Sequence, residues 1–96
     1  MPRAELSNEA EAEIEEAAAY YEAIHSALAD GLLDRIEHGL NQISDLPGTW
    51  PTYLSDTRRY LLRRFPYALV YRIQNDTPYV VAFVHQHSKP GYWLER

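Results

Sequence analysis

The sequence predicts an α+β fold, in which an N-terminal helical hairpin packs on a small antiparallel sheet of three to four strands. In the first half of the chain, apolar residues recur every three or four positions, as on one face of a helix. Beyond residue 56 the pattern changes to alternation of β-branched and aromatic residues, which is typical of strands. A length of 96 residues with 46% hydrophobic content predicts a single domain over residues 1–96.

The first helix is expected after a short edge strand within residues 3–6. Ser7 or Asn8 can cap this helix, and its acidic first turn suits the positive end of the helix dipole. Its apolar stripe consists of Ala10, Ile14, Ala17, Tyr21, Ile24 and Leu28.

A second apolar stripe follows and predicts a second helix. Pro47 and Gly48 are expected to end it, because proline cannot continue a helix and glycine tolerates the positive φ of a C-terminal cap. No strong breaker separates the two stripes, so Ser26 or the pair Asp30 and Gly31 marks the break, and one bent helix is the alternative. The second stripe consists of Leu33, Ile36, Leu40, Ile43 and Leu46.

A connector at residues 46–56 precedes the strands, and its aromatic residues Trp50 and Tyr53 are expected to fold back on the core. The strands form an antiparallel meander, with the helices on one face of the sheet and the opposite face partly open. They are predicted at residues 59–64, 67–73 and 79–85, with a turn at 74–78.

The net charge of −5 is divided unevenly along the chain. Residues 1–56 hold two arginines against twelve acidic residues, whereas residues 57–96 hold seven basic residues against two acidic ones. The basic half suits an anionic partner such as nucleic acid or an acidic peptide; the alternative is that both halves are merely solvated.

The absence of cysteine rules out disulfides and thiolate metal sites. No apolar stretch has the length of a signal or transmembrane segment, so a cytoplasmic protein with no membrane association is expected.

Two motifs carry a family resemblance. The segment RYLLRRFPY at residues 59–67 and the ending HQHSKPGYW at residues 85–93, together with the predicted order of elements, resemble the RelE/ParE superfamily of bacterial toxins, closer to its ParE-like members. The resemblance covers nearly the whole chain. It implies the toxin of a type II toxin-antitoxin module, held in a hetero-oligomer by a cognate antitoxin such as a small ParD-like DNA-binding protein.

The family contains two mechanisms. RelE-like members cleave messenger RNA on the ribosome, which needs a proton acceptor, a proton donor and cations around the phosphorane-like transition state. ParE-like members instead poison DNA gyrase.

The resemblance places four cations and a C-terminal tyrosine in the nuclease site. Arg63 and Tyr92 match members of this set, but Leu61, Ala68 and Gln86 stand where three of the cations are expected. A protein-binding toxin is therefore the leading interpretation, and enzymatic activity stays uncertain.

Two alternatives stay open. A ribosome-dependent endoribonuclease would use His85, His87 and Tyr92 for acid-base catalysis, although each histidine has an ordinary structural interpretation. A non-toxic domain kept for antitoxin binding is the second alternative. We expect no cofactor and no metal, because His85 and His87 have no carboxylate near them in the sequence.

The predicted partner-binding residues are mostly basic. Arg58 and Arg59 are expected to bind phosphate or an acidic antitoxin tail, or else to discourage edge-to-edge aggregation of the sheet. Arg63 and Arg64 should point to opposite faces of their strand, and the tail at residues 90–94 should be exposed. The full set is Arg58, Arg59, Arg63, Arg64, Arg72, Lys89, Tyr92 and Trp93.

Overall fold

Two helices and four strands make up the fold, which confirms the predicted α+β class. The computed structural model describes residues 3–96. The sheet order is β1-β4-β3-β2, and the sheet is mixed because β1 runs parallel to β4 while the other pairs are antiparallel. The elements are β1 (Glu5–Leu6), α1 (Asn8–Ile24), α2 (Ser26–Asp45), β2 (Arg58–Leu61), β3 (Tyr67–Gln74) and β4 (Thr77–His85).

The helical hairpin consists of two separate helices, so the alternative of one bent helix is wrong. Ser7 caps α1, and its Oγ accepts a hydrogen bond of 3.0 Å from the Ala10 amide. At the break, His25 adopts an extended backbone, and its Nδ1 accepts from the Ala27 amide at 3.0 Å. The break therefore lies one residue before Ser26, because the imidazole serves as the cap of α2.

The end of α2 differs in detail from the prediction. The helix ends at Asp45, and Leu46 is its C-terminal cap residue. Gly48 does not adopt a positive φ; within residues 3–96, Gly91 is the only glycine that does. The buried stripe of α2 begins at Ala29 and continues at Leu32, whereas Leu33, which was predicted to belong to it, is 45% exposed.

The meander is confirmed, and its second hairpin is tighter than predicted. Asn75 and Asp76 both have positive φ, as the central residues of a two-residue type I′ turn do. Thr77 and Pro78 therefore belong to β4 rather than to the turn.

Both faces of the sheet carry a core. On the helix side, α2 packs on residues such as Leu69 and Phe83, and Trp50 meets Tyr60 edge-to-face at 4.7 Å between ring centroids. On the opposite side, Trp93 is buried, and Tyr53 stacks on it with ring centroids 5.7 Å apart. The two connector aromatics thus fold back as predicted, and the tail covers much of a face that was expected to be partly open.

The first strand of the meander is shorter than its alternating pattern suggests. β2 ends at Leu61, and the chain turns through a corner at residues 62–66 that the Leu62 amide closes by donating to the Tyr67 carbonyl at 2.9 Å. Arg64 has a φ of 73° in this corner. The expectation that Arg63 and Arg64 occupy opposite faces of a strand is therefore wrong, and both side chains are exposed at the corner.

None of the helices within residues 3–96 is long and apolar enough to cross a membrane.

Candidate functional site

The three positions at which the sequence departs from the nuclease pattern meet in one place. Leu61, Ala68 and Gln86 line a small pocket of about 40 Å³ on the sheet face away from the helices. Leu61 pairs directly with Ala68 across β2 and β3, and Trp93 also lines the pocket. Within residues 3–96, Arg59 is the only arginine or lysine that lines it. At these three positions, apolar and amide side chains thus stand where the family resemblance places cations.

Three of the predicted partner-binding arginines are engaged within the chain. The Arg59 guanidinium lies 4.2 Å from the ring centroid of Tyr53 in a cation–π contact. Arg58 Nη1 donates to the Trp50 carbonyl at 2.7 Å and so holds the connector against β2. Arg72 Nε lies 3.3 Å from an Asp56 oxygen, and its side chain is only 13% exposed.

Arg63, Arg64 and Lys89 are exposed and form no ion pair within residues 3–96. Arg63 lies beside a surface that we term the corner groove, which consists of two adjoining clefts of about 380 and 260 Å³. The residues of the corner groove are His38, Gln42, Trp50, Pro51, Thr52, Arg59, Tyr60, Leu61 and Arg63.

The corner groove combines an apolar floor with a basic rim. Leu61 is 50% exposed there, although it is a strand residue. The Tyr60 hydroxyl donates to Gln42 Oε1 at 2.9 Å. Burial raises the pKa of Tyr60, and the nearby Arg63 and Arg35 charges partly offset this rise.

The predicted catalytic residues are only partly brought together. His85 and Tyr92 line a cleft of about 410 Å³ beside α1, which we term the α1 cleft, whereas His87 does not line it. His85 Nδ1 accepts a hydrogen bond of 3.0 Å from the His87 amide, and the His85 ring packs edge-to-face on Tyr67 at 5.1 Å. His85 thus also has a structural role at the end of β4.

Tyr92 is held by a carboxylate. Its hydroxyl donates to Glu13 Oε2 at 2.5 Å, and Arg96 Nη1 donates to Glu13 Oε1 at 2.9 Å. Burial, followed by the hydrogen bond and charge of Glu13, raises the pKa of Tyr92 well above its usual range, with a smaller opposing effect of Arg96. A phenol in this state is a poor proton donor at neutral pH.

Glu13 is a site residue that sequence reasoning missed. It lies on α1 between the buried residues Ala10 and Ala17, so its spacing places it on the side of the helix that faces the sheet. The position of a carboxylate on this side of the helix was the signal in the sequence that Glu13 has hydrogen-bond or ion-pair partners.

Tyr92 and Leu94 are exposed as predicted, at 40% and 42%. The expectation that Trp93 is exposed with them is wrong, because only 1% of it is accessible. Within residues 3–96, no group of three His, Asp or Glu side chains is arranged to hold a metal ion.

The order of helices and strands is that of the RelE/ParE fold, as predicted. The family model described as the ParE toxin of the type II toxin-antitoxin system, parDE, matches residues 4–90. The chain therefore belongs to the ParE toxin family and is the toxin component of a type II toxin-antitoxin system.

A solved structure supports the fold. It is described as the chromosomal ParDE TA system from P. aeruginosa, and one of its chains matches with a TM-score of 0.66 and 14% identity. The match covers 88% of this chain and 96% of that chain. At this identity, the likeness shows the fold alone. No curated protein matches the sequence.

Proposed function

We propose that this toxin inhibits bacterial growth by binding a protein target and that a cognate antitoxin neutralises it. DNA gyrase is the target that the family resemblance implies. The observation that carries the proposal is the pocket lined by Leu61, Ala68 and Gln86, because it lacks the cations that phosphodiester cleavage needs at those positions.

The electrostatics of the α1 cleft also favour a protein-binding mechanism over cleavage of messenger RNA. Glu13 and Glu16 both line the cleft, beside His85 and Tyr92. The Glu16 carboxylate, which has no ion-pair partner within residues 3–96, would oppose the binding of an RNA phosphate, and Tyr92 is already committed to Glu13. The endoribonuclease alternative is thus less well supported than the protein-binding mechanism.

The corner groove suits the antitoxin. An amphipathic segment could place apolar side chains over Leu61 and Trp50, while its carboxylates pair with Arg63, which lines the groove. The exposed Arg64, next to Arg63 in the chain, adds positive charge nearby. The structural neighbour is described as a toxin-antitoxin system, which supports an antitoxin as the partner here. The resulting complex would be a cytoplasmic hetero-oligomer.

Induced expression in bacteria tests the proposal. We expect growth arrest with filamentation and DNA damage while messenger RNA stays intact, because a gyrase poison leaves translation running. Rapid translation arrest with cleaved messages would support the nuclease alternative. Unaffected growth, with the folded protein present, would favour the non-toxic antitoxin-binding alternative.

A further inference from the structure

The α1 cleft has an aromatic wall that the proposed function does not use. Tyr20 packs edge-to-face on Tyr21, with ring centroids 5.2 Å apart, and Tyr21 is 6.3 Å from Tyr67. Tyr67 in turn contacts His85. Tyr20 is 62% exposed, so part of this wall faces solvent. With about 410 Å³ of space, the cleft has a volume typical of sites that hold a bound group.

The charge in this cleft is negative. No arginine or lysine is among the residues that line it, whereas Glu13 and Glu16 both are. Glu13 is neutralised by its ion pair with Arg96, but Glu16 forms no ion pair within residues 3–96.

The uncompensated charge of Glu16 therefore lies next to the aromatic wall. Burial chiefly raises the pKa of Tyr67, and the neighbouring Tyr21, Tyr20 and Glu16 raise it further, which agrees with this placement.

We propose that the α1 cleft binds an arginine side chain presented by a peptide segment of a protein partner. The guanidinium plane would stack on the exposed aromatic wall and pair with the Glu16 carboxylate. A planar, weakly hydrated guanidinium suits stacking and bidentate pairing better than a lysine ammonium does. The proposal rests on the proposed function only in that the partner is a protein, and its surface is separate from the corner groove.

Both sides of the α1 cleft are held in place by contacts within the chain. Glu13 fixes the tail to α1 through Tyr92, so the tail side of the cleft is in place before a ligand arrives. The aromatic wall is anchored at its other end, where Tyr21 packs on Phe65 at 5.3 Å. A site that is already formed loses little conformational entropy when it binds a ligand.

An NMR titration of the isolated toxin tests the proposal. The probes are three short glycine-serine peptides that are identical except for a central arginine, lysine or citrulline. We expect the arginine peptide to shift the ring signals of Tyr20 and Tyr67 with a dissociation constant of about 1 mM, the lysine peptide to bind several-fold more weakly, and the citrulline peptide not to bind.

Two variants of α1 sharpen the test. Glu16→Gln should weaken binding of the arginine peptide about fivefold, whereas Glu15→Gln, which removes the same charge from an exposed position outside the cleft, should leave binding unchanged. Tyr20→Ala should weaken it as well. Equal shifts with the citrulline peptide, equal losses in both glutamate variants, or no shift with any peptide would overturn the proposal. Because the titration needs no growth assay, its failure is distinguishable from failure of the proposed function.

Discussion

The Tyr92 hydroxyl donates a hydrogen bond of 2.5 Å to the Glu13 carboxylate and so joins the C-terminal tail to the first helix. The same carboxylate accepts a hydrogen bond from the Phe83 amide at 3.1 Å. β1 pairs with β4 only as far as Val80, so the edge of β4 beyond this point lacks a neighbouring strand. Glu13 therefore supplies an acceptor that a longer β1 would have provided.

Glu13→Ala should lower the free energy of unfolding by about 2 kcal/mol, because the buried Phe83 amide loses its acceptor and Arg96 loses its carboxylate partner, keeping only the Val81 carbonyl. Urea denaturation measures this loss. Glu15→Ala, on the exposed side of the same helix, should change stability by less than about 0.5 kcal/mol. Equal losses in the two variants would contradict the role assigned to Glu13.

Because of Tyr71, the free energy of unfolding should fall at alkaline pH. Its hydroxyl donates to the Pro47 carbonyl, and burial raises its pKa from 10.0 to about 12, with a small opposing effect of Arg58. Between these pH values the unfolded chain releases a proton that the folded chain retains. The contribution of Tyr71 to the free energy of unfolding is therefore complete below pH 10 and is lost as the pH rises to about 12.

The comparison variant is Tyr71→Phe. Its stability deficit relative to the unsubstituted chain should shrink by up to about 2 kcal/mol between pH 9 and pH 12, measured by urea denaturation at each pH. A deficit that stays constant over this range would show that the Tyr71 proton is not linked to folding.

Trp93→Ala should destabilise the fold by about 3–5 kcal/mol, because it empties the core on the sheet face that Tyr53 and Trp93 cover. Leu94→Ala is the matched control, since Leu94 is the next residue and is 42% exposed. Thermal unfolding followed by circular dichroism separates the two variants. A Trp93→Ala protein as stable as the control would mean that the tail is not part of the core.

The contrast between Ser7 and Trp93 shows what could be predicted from the sequence. The sequence predicts Ser7 as a candidate cap, because a helix cap depends on residues within one turn of the chain. It does not predict the burial of Trp93, because the environment of Trp93 is set by Tyr53 and the sheet, which lie far from it in the sequence. Local chemistry was therefore predictable, whereas packing between distant segments was not.

The candidate functional site shows the same contrast between residues that are predictable from a local motif and contacts between distant segments. The departures at Leu61, Ala68 and Gln86 were visible from the motifs, and the structure places all three around one pocket. The partner of Tyr92 was not visible, because Glu13 is separated from it by 79 positions. The alternating pattern predicts a strand as far as residue 64, but β2 ends at Leu61. The residue types around Arg63 do not distinguish a strand from a corner.

The paired substitution of Arg63→Glu and Arg64→Glu should weaken binding of a cognate antitoxin by at least about tenfold, because it reverses the charge of Arg63, which lines the corner groove, and of the exposed Arg64 next to it in the chain. Isothermal titration calorimetry measures the affinity. Arg3→Glu is the control, since Arg3 is exposed and pairs with Glu37 on α2. An unchanged affinity in the paired variant would place the antitoxin elsewhere on the surface.

We propose that this toxin acts by binding a protein rather than by cutting RNA. The most direct test of this proposal is the supercoiling of relaxed plasmid by purified DNA gyrase, measured against increasing toxin. We predict that supercoiling is inhibited and that cleaved plasmid accumulates, with inhibition relieved when the cognate antitoxin is added. Undiminished supercoiling at saturating toxin, together with cleavage of messenger RNA on purified ribosomes by the same preparation, would contradict the claim.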